Sequence, residues 1–280
     1  MAEPGSARVE RPYRGPLRAV ILDWAGTVVD YGSRAPAAVF IELFAQHGVT
    51  VTMAEARAPM GTHKRAHLTA ILQSPGVAKR WLEARGSPPN EGDIDALYDE
   101  FVPLQVASLP RYAGLIPGMV DAAAAFRRRG LKIGMTTGYN REMVDVLIDE
   151  AKRQGFEPDC AVAADEVPAG RPQPFMCYRN AIELQAYPLE ACVKIGDTVP
   201  DIDEGLNAGM WTVGLTKTGN EIGLTEEEVA ALPSDVLTER LAAIRERFVA
   251  AGAHYTIEGI AGVPGLLDEI EARLSRGERP

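Results

Sequence analysis

Ile21-Leu22-Asp23-Trp24-Ala25-Gly26-Thr27 is a short apolar run that ends on a carboxylate and breaks into a glycine turn. The run from Leu17 to Leu22 is too short and too continuously apolar for an amphipathic helix, so it reads as a strand buried on both faces. Four more runs of this kind follow, at Leu131 to Thr136, Cys160 to Ala164, Cys192 to Ile195 and Trp211 to Leu215. Helical patterns of crossover length separate the last four, among them Asn140 to Gln154, with apolar Met143, Val144, Leu147 and Ile148, and Pro172 to Leu184. This alternation predicts an α/β fold with a doubly wound parallel sheet.

Between the first and second strands lie about a hundred residues, too many for one crossover. They are rich in helical periodicity and poor in strand signals. Ala35 to His47 places Val39, Phe40, Leu43 and Phe44 on one face, and Thr52-Met53-Ala54-Glu55 is a capping-box pattern. Further helices are expected at Lys64 to Gln73, Val77 to Ala84 and Asp93 to Ser108. The expected organisation is an inserted helical cap domain at residues 33–109 and an α/β core made of residues 17–32 and 110–280. Tyr31-Gly32 and Pro110-Arg111-Tyr112 form the joints. A second capping box, Thr225 to Glu228, precedes a helix from Pro233 to Ala251 that should cover a sheet edge.

The bulk properties agree with a main domain carrying a smaller one: 280 residues, 46% of them hydrophobic. A formal net charge of -10 argues against a nucleic acid or an acidic membrane surface as partner. Cys160, Cys177 and Cys192 form no C-x-x-C pair, and their odd number fits reduced core thiols in a cytoplasm. Residues 1–16 mix charge with Pro and Gly and lack an apolar stretch, so a disordered arm is expected and a signal peptide is not.

Chemistry concentrates at the strand ends. Asp23 closes the first strand, and Asp197 closes the fourth in Gly196-Asp197-Thr198-Val199-Pro200-Asp201. If those strands are neighbours, their carboxylates converge where open α/β sheets bind ligands, a site suited to a hard cation such as magnesium. A lone strand-end Asp is as often a turn cap; two such ends plus Asp201 make capping a poor account. Thr137-Gly138-Tyr139 after the second strand and Arg171 after the third supply hydroxyl, amide and guanidinium donors for phosphate oxygens. Taken singly, Thr137 could be an N-cap and Arg171 a surface cation.

The ordered set Asp-x-x-Gly-Thr, Thr-Thr-Gly, a basic residue before Pro, and Gly-Asp-x-x-x-Asp resembles the haloacid dehalogenase superfamily, which implies a Rossmann-like core. That superfamily commonly carries a second Asp two residues after its nucleophile, as acid and base for a leaving oxygen. Ala25 stands there. Either the chain is inactive, or its leaving group is not an oxygen. Lys64 bears on the choice: the chain holds six lysines among 29 basic residues, so where a mere surface cation is wanted it usually has Arg. Lys64 and His67 sit three residues apart on one helix face. Asp-Trp-Ala-Gly-Thr, Pro-Met-Gly-x-x-Lys-x-x-His, Thr-Thr-Gly-Tyr and Pro-Ala-Gly-Arg-Pro together resemble the phosphonoacetaldehyde hydrolase family, from Leu17 to the last helix.

That resemblance implies Asp23 as nucleophile, Lys64 as Schiff-base lysine, and magnesium held by Asp23, the Ala25 carbonyl and Asp197, with Asp201 in support. It further implies catalytic or binding roles for Met60, Gly61, His67, Thr137, Gly138, Tyr139 and Arg171, a phosphonoacetaldehyde substrate, and a homodimer. Some family members have a cysteine where this chain has Ser33, so no thiol is required there. Burial beside His63, Arg65 and the metal is expected to lower the Lys64 pKa; His67 is the expected proton shuttle unless it merely fills the cap interface, and His47 and His254 look structural. The apolar face at Val39 and Phe40 is a candidate dimer surface. The alternatives are a phosphate-ester phosphatase or phosphomutase of the same superfamily, and a catalytically silent phosphoester-binding protein.

Overall fold

A computed structural model describes residues 12–280. From β1 (Ala19–Leu22) the chain enters α1 (Arg34–Gln46), α2 (Met53–Arg57), α3 (Lys64–Gln73), α4 (Pro75–Arg85) and α5 (Glu91–Ser108), then α6 (Met119–Arg128). It continues through β2 (Lys132–Thr136), α7 (Arg141–Arg153), β3 (Cys160–Val162), α8 (Phe175–Glu183), β4 (Cys192–Gly196), α9 (Val199–Ala208) and β5 (Trp211–Leu215). The last elements are α10 (Glu226–Ala230), α11 (Ser234–Ala250), β6 (Tyr255–Ile257) and α12 (Val263–Ser275).

All six strands run parallel in the order β3-β2-β1-β4-β5-β6. After β1 the chain steps out to β2 and β3, then returns to the other side of β1 as β4. The crevice created by that reversal opens at the carboxyl ends of β1 and β4. Leu22 pairs with Ile195, so Asp23 and Asp197 leave neighbouring strands nearly level. The Asp23 amide donates to the Ile195 carbonyl at 2.9 Å.

The five expected strands are present, and β6 is a sixth. Its three residues are all half-buried at the sheet edge, too short and too mixed for a periodic signal. The β5–β6 end is covered by α11, whose Phe248 is fully buried against Gly214; a Cβ there would meet the ring at 2.6 Å. The capping box of α2 forms as read from the sequence, with Thr52 Oγ1 accepting from the Glu55 amide at 3.2 Å and Glu55 Oε2 accepting from the Thr52 amide at 2.9 Å.

Helices α1 to α5 pack on one another, and Phe40 is their central ring, 4.5 Å from Phe101 and 4.1 Å from His67 between ring centroids. Val39 and Phe40 therefore face inward and are buried, which removes them as the candidate dimer surface. Val20, Leu22, Trp24, Leu109 and Phe101 belong to one apolar core that spans the sheet and the helical layer. Cys177 and Cys192 are buried, Cys160 is half-buried, and all three are free thiols. Of the expected N-terminal arm, residues 1–11 lie outside the described residues. Tyr13 packs against the core and its hydroxyl donates to the Pro16 carbonyl at 2.7 Å. Among the described residues no helix is long and apolar enough to cross a membrane.

Phe40→Ala is expected to lower stability by about 3–5 kcal/mol through the lost contacts and the cavity left behind. Urea unfolding measures it; a loss below about 1 kcal/mol would contradict the central place given to this ring.

Candidate active site

The crevice gathers residues from six segments. Asp23 and Ala25 follow β1, Thr137, Gly138 and Tyr139 follow β2, Arg171 precedes α8, and Thr198 opens α9; Met60, Gly61 and Lys64 arrive from between α2 and α3. Together with Ser33 and Pro36 they line a cavity of about 20 Å³, room for about one water. A larger hollow of about 630 Å³, beside Tyr178, Ile182 and Tyr187, carries no charged side chain and lies apart from these residues. Two glycines let the helical segment descend so far. A Cβ at Gly61, whose φ is +91°, would strike Thr198 Oγ1, and one at Gly138 would strike the Thr62 carbonyl.

Arg171 is the hub of the polar floor. It pairs with Asp23 Oδ1 at 2.7 Å and Asp201 Oδ1 at 3.0 Å, and donates to Glu204 Oε2 at 2.9 Å, Thr136 Oγ1 at 2.7 Å and the Gly61 carbonyl at 3.4 Å. Three hydrogen bonds and two further ion-pair contacts thus engage the guanidinium on all sides. The reading of Arg171 as a surface cation is excluded, since its side chain is 1% exposed. Nor is Thr137 an N-cap: Asn140 caps α7, and Thr137 Oγ1 accepts from the Tyr139 amide at 3.2 Å.

Asp23, Asp197 and Asp201 offer carboxylate oxygens all within 4.8 Å of one another, and all three residues are buried. Asp201 is saturated by Lys194 Nζ at 2.6 Å, Thr198 Oγ1 at 2.6 Å and Arg171. Burial pushes its carboxyl upward, but Arg171 and Lys194 outweigh burial and hold it below the usual range. Among the described residues Asp197 has no ion pair of its own. Burial, then the like charges of Asp23 and Asp201, push it well above the usual carboxylate range. Burial likewise raises Asp23, against the pull of Arg171. Four carboxylates, counting Glu204, face two cations, Arg171 and Lys194, leaving a formal excess of two negative charges. A divalent cation with oxygen ligands fits that excess, with Asp23 and Asp197 as its carboxylates and Asp201 as an anchor for the cations.

Sequence reading missed Lys194 and Glu204. Lys194 is fully buried in β4 and contacts both Asp201 and Glu204. Its signal was available, as the single charge inside the apolar run Cys192-Val193-Lys194-Ile195. Glu204 lies three residues after Asp201 on α9, hence on the same helix face.

Lys64 forms the cavity roof. It is 4% exposed, its Nζ stands 4.8 Å from the Tyr139 ring centroid, and among the described residues it has no hydrogen bond or ion pair. Burial pushes its pKa down to about 8, helped by Arg171 and resisted by Asp23 and Asp197. The expected help from Arg65 is absent because that side chain turns outward to Glu91 and Asp95. His63 instead caps α3, its Nδ1 accepting from the Arg65 amide at 3.2 Å.

His67 is fully buried beneath Lys64 and does not line the cavity. Its Nε2 is 2.7 Å from the Ala56 carbonyl, so that nitrogen carries the proton and Nδ1 is a bare, unpartnered acceptor. Burial and the Lys64 charge hold its pKa well below the ordinary value. The Tyr139 hydroxyl is also buried and unpartnered, and burial, then Asp30, push its pKa well up. His47 pairs with Glu100 at 2.8 Å, and His254 Nδ1 with Thr212, both remote from the cavity.

The haloacid dehalogenase-like hydrolase family model matches residues 17–209. A phosphonoacetaldehyde hydrolase of Syntrophobacter fumaroxidans is 52% identical over 96% of this chain and 98% of its own length. One from Bacillus thuringiensis is 50% identical over 91% of this chain and 97% of its own. The crystal structure of a phosphonoacetaldehyde hydrolase like protein from Oleispira antarctica superposes with a TM-score of 0.96 at 42% identity, covering 99% of this chain and 100% of that one.

Adding a divalent cation should raise the melting temperature of the unsubstituted protein, because the ion binds only where the carboxylates are assembled. Asp197→Asn should remove most of that rise. A rise of equal size in both proteins would place the ion elsewhere.

Proposed function

We propose a mechanism that proceeds from what this chain is, a member of the haloacid dehalogenase-like hydrolase family and, within it, of the phosphonoacetaldehyde hydrolases. Such an enzyme splits the carbon–phosphorus bond of phosphonoacetaldehyde to give acetaldehyde and phosphate. One observation carries the mechanism: a buried, unpaired lysine with a lowered pKa faces the same small cavity as Asp23, while Ala25 stands where an acid would serve an oxygen leaving group.

The neutral Lys64 amine adds to the aldehyde and loses water, leaving a protonated imine beta to phosphorus. Asp23 attacks phosphorus, and the electron pair of the breaking carbon–phosphorus bond moves into the imine, giving an enamine on Lys64. Protonation of the enamine carbon and hydrolysis of the imine release acetaldehyde. Water then cleaves the aspartyl-phosphate and returns Asp23. The Thr137 hydroxyl and Gly138 amide face the phosphoryl group, and Arg171 joins them by exchanging its longest bond, to the Gly61 carbonyl, for a phosphoryl oxygen. His67, which lies outside the cavity and packs on Phe40 with its pKa held low by burial, fills the interface beneath Lys64 in this reading rather than shuttling protons. Met60 and Tyr139 supply the apolar wall that keeps the amine dry.

Magnesium is the ion assigned to Asp23, Asp197 and the Ala25 carbonyl, with Asp201 in support; when bound it neutralises the excess carboxylate charge and draws charge from the phosphoryl oxygens. Residues 33–109 act as a cap over the core of residues 17–32 and 110–280, excluding water from the imine. A homodimer and a cytoplasmic location belong to the same reading, the latter from the three free thiols. Apolar surface for a second copy is offered by the α8 region, where Ile182 is 74% and Tyr187 82% exposed.

Borohydride added during incubation with phosphonoacetaldehyde should fix an adduct whose mass maps to Lys64. Lys64→Arg should abolish both adduct and turnover with the fold intact; retained turnover removes the imine from the mechanism. Since the reactive form is the neutral amine, adduct formation should rise with pH through a midpoint near 8 and level off about one unit above it. A midpoint near 10.5, the ordinary lysine value, would mean that the amine is not desolvated.

A further inference from the structure

The segment that carries Met60, Gly61 and Lys64 begins at Arg57, the last residue of α2. None of the chemistry above uses it. Its guanidinium crosses from the helical layer to the core: Nη1 donates to the Gly32 carbonyl at 2.8 Å and to Asn220 Oδ1 at 3.1 Å, and Nη2 donates to the Gly223 carbonyl at 3.2 Å. A longer contact, 3.4 Å, reaches the Asn220 carbonyl. Both ends of this bridge matter. Gly32 is the residue through which the chain leaves the core for α1; its φ is +82° and a Cβ there would strike the Leu224 carbonyl. Asn220 gives its own amide to Asp197 Oδ2 at 2.7 Å.

Arg57 thus touches the joint of the helical layer on one side and the loop that orients Asp197 on the other. The closed cavity has room for about one water, so any substrate must enter while this layer is raised. A flexible surface contact would not serve to define the closed position; three protein acceptors on a half-buried guanidinium do.

We propose that Arg57 is the positioning residue that fastens the Met60–Lys64 segment onto the core in the closed state, acting through Gly32, Gly223 and the Asn220 side chain. It touches no substrate. The inference rests on the reading of Lys64 as the residue that meets the aldehyde, and its structural half, the fastening itself, is measurable without turnover.

Amide hydrogen exchange of residues 58–66 reads the fastening directly. In Arg57→Gln, exchange of this segment should quicken about tenfold, while the strands of the sheet keep their protection. Asn220→Ala keeps the backbone bond to Asp197 and should give a smaller increase, and the double variant should exchange no faster than Arg57→Gln alone, because both changes cut one contact. With phosphonoacetaldehyde, the loss should fall on KM, about tenfold, with kcat changed by less than about threefold, since bound substrate restores closure. Arg57→Lys, which keeps the charge but cannot bridge three acceptors, should rescue less than half of the loss. Unchanged exchange in both single variants, multiplied effects in the double variant, or a fall in kcat at constant KM would each overturn the proposal. A missing Lys64 adduct in the unsubstituted protein, with the exchange results as expected, would refute the imine mechanism and leave the fastening standing.

Discussion

Four carboxylates and two cations share a buried space at the ends of β1 and β4, and that imbalance constrains everything around it. Asp201 and Glu204 are spent on holding Lys194 and Arg171. Arg171 in turn fixes the direction of Asp23. Among the described residues Asp197 has no cation paired to it, and burial and the neighbouring carboxylates push its carboxyl well above the usual range. An uncompensated buried charge is strongly unfavourable, so such a group either takes up a proton or meets a cation. The doubly wound sheet makes the cluster possible by setting two strand ends side by side, and the excess of carboxylates over cations suits it to a divalent ion.

The same floor reaches upward. Arg171 bonds the Gly61 carbonyl, Thr198 lies against the Gly61 α-carbon, and Gly138 lies against Thr62. The helical layer therefore closes by backbone contact at glycines, where side chains would hold it off. Close approach has a chemical result: the Lys64 amine is buried on the same small cavity as Asp23, with no carboxylate among the described residues paired to it. A lysine in an ordinary ion pair would be fixed as ammonium and useless as a nucleophile.

Much of this was legible in the sequence because it depends on local pattern. Five strands announced themselves as short apolar runs, and the strand-end residues Asp23, Thr137, Arg171 and Asp197 converge in the crevice. What escaped depends on distance between elements. β6 is legible only as a partner of β5, since its own three residues carry no period. Phe40 looked like an exposed stripe because α1 alone does not reveal that α5 and His67 cover it. Arg65 was counted toward the Lys64 environment because adjacent numbers suggest adjacent charges; on a helix, neighbours in sequence point about 100° apart, and this one meets Glu91 and Asp95. The acceptors around Arg171 come from four parts of the chain, with only Asp201 and Glu204 sharing a helix, so no spacing rule could foretell how fully it is engaged.

Ala25 and Lys64 are two sides of one energetic problem. An alkoxide leaving group is rescued by a proton, and a carboxylic acid two residues after the nucleophile can supply it. A carbanion leaving group needs a place for its electron pair, which a protonated imine provides and a nearby acid does not. Forming that imine requires a neutral amine, and in water at pH 7 a lysine of ordinary pKa is neutral only about once in three thousand. Shifted to about 8, the fraction becomes about one in ten, a change worth about 3 kcal/mol against the ammonium form. The fold meets that cost by burying Lys64 under a layer that the core grips. A second carboxylate at position 25, in the cavity that Lys64 also lines, would pull its pKa back up. In the proposed mechanism, a small side chain two residues after Asp23 is therefore what a lysine-dependent carbon–phosphorus cleavage would require.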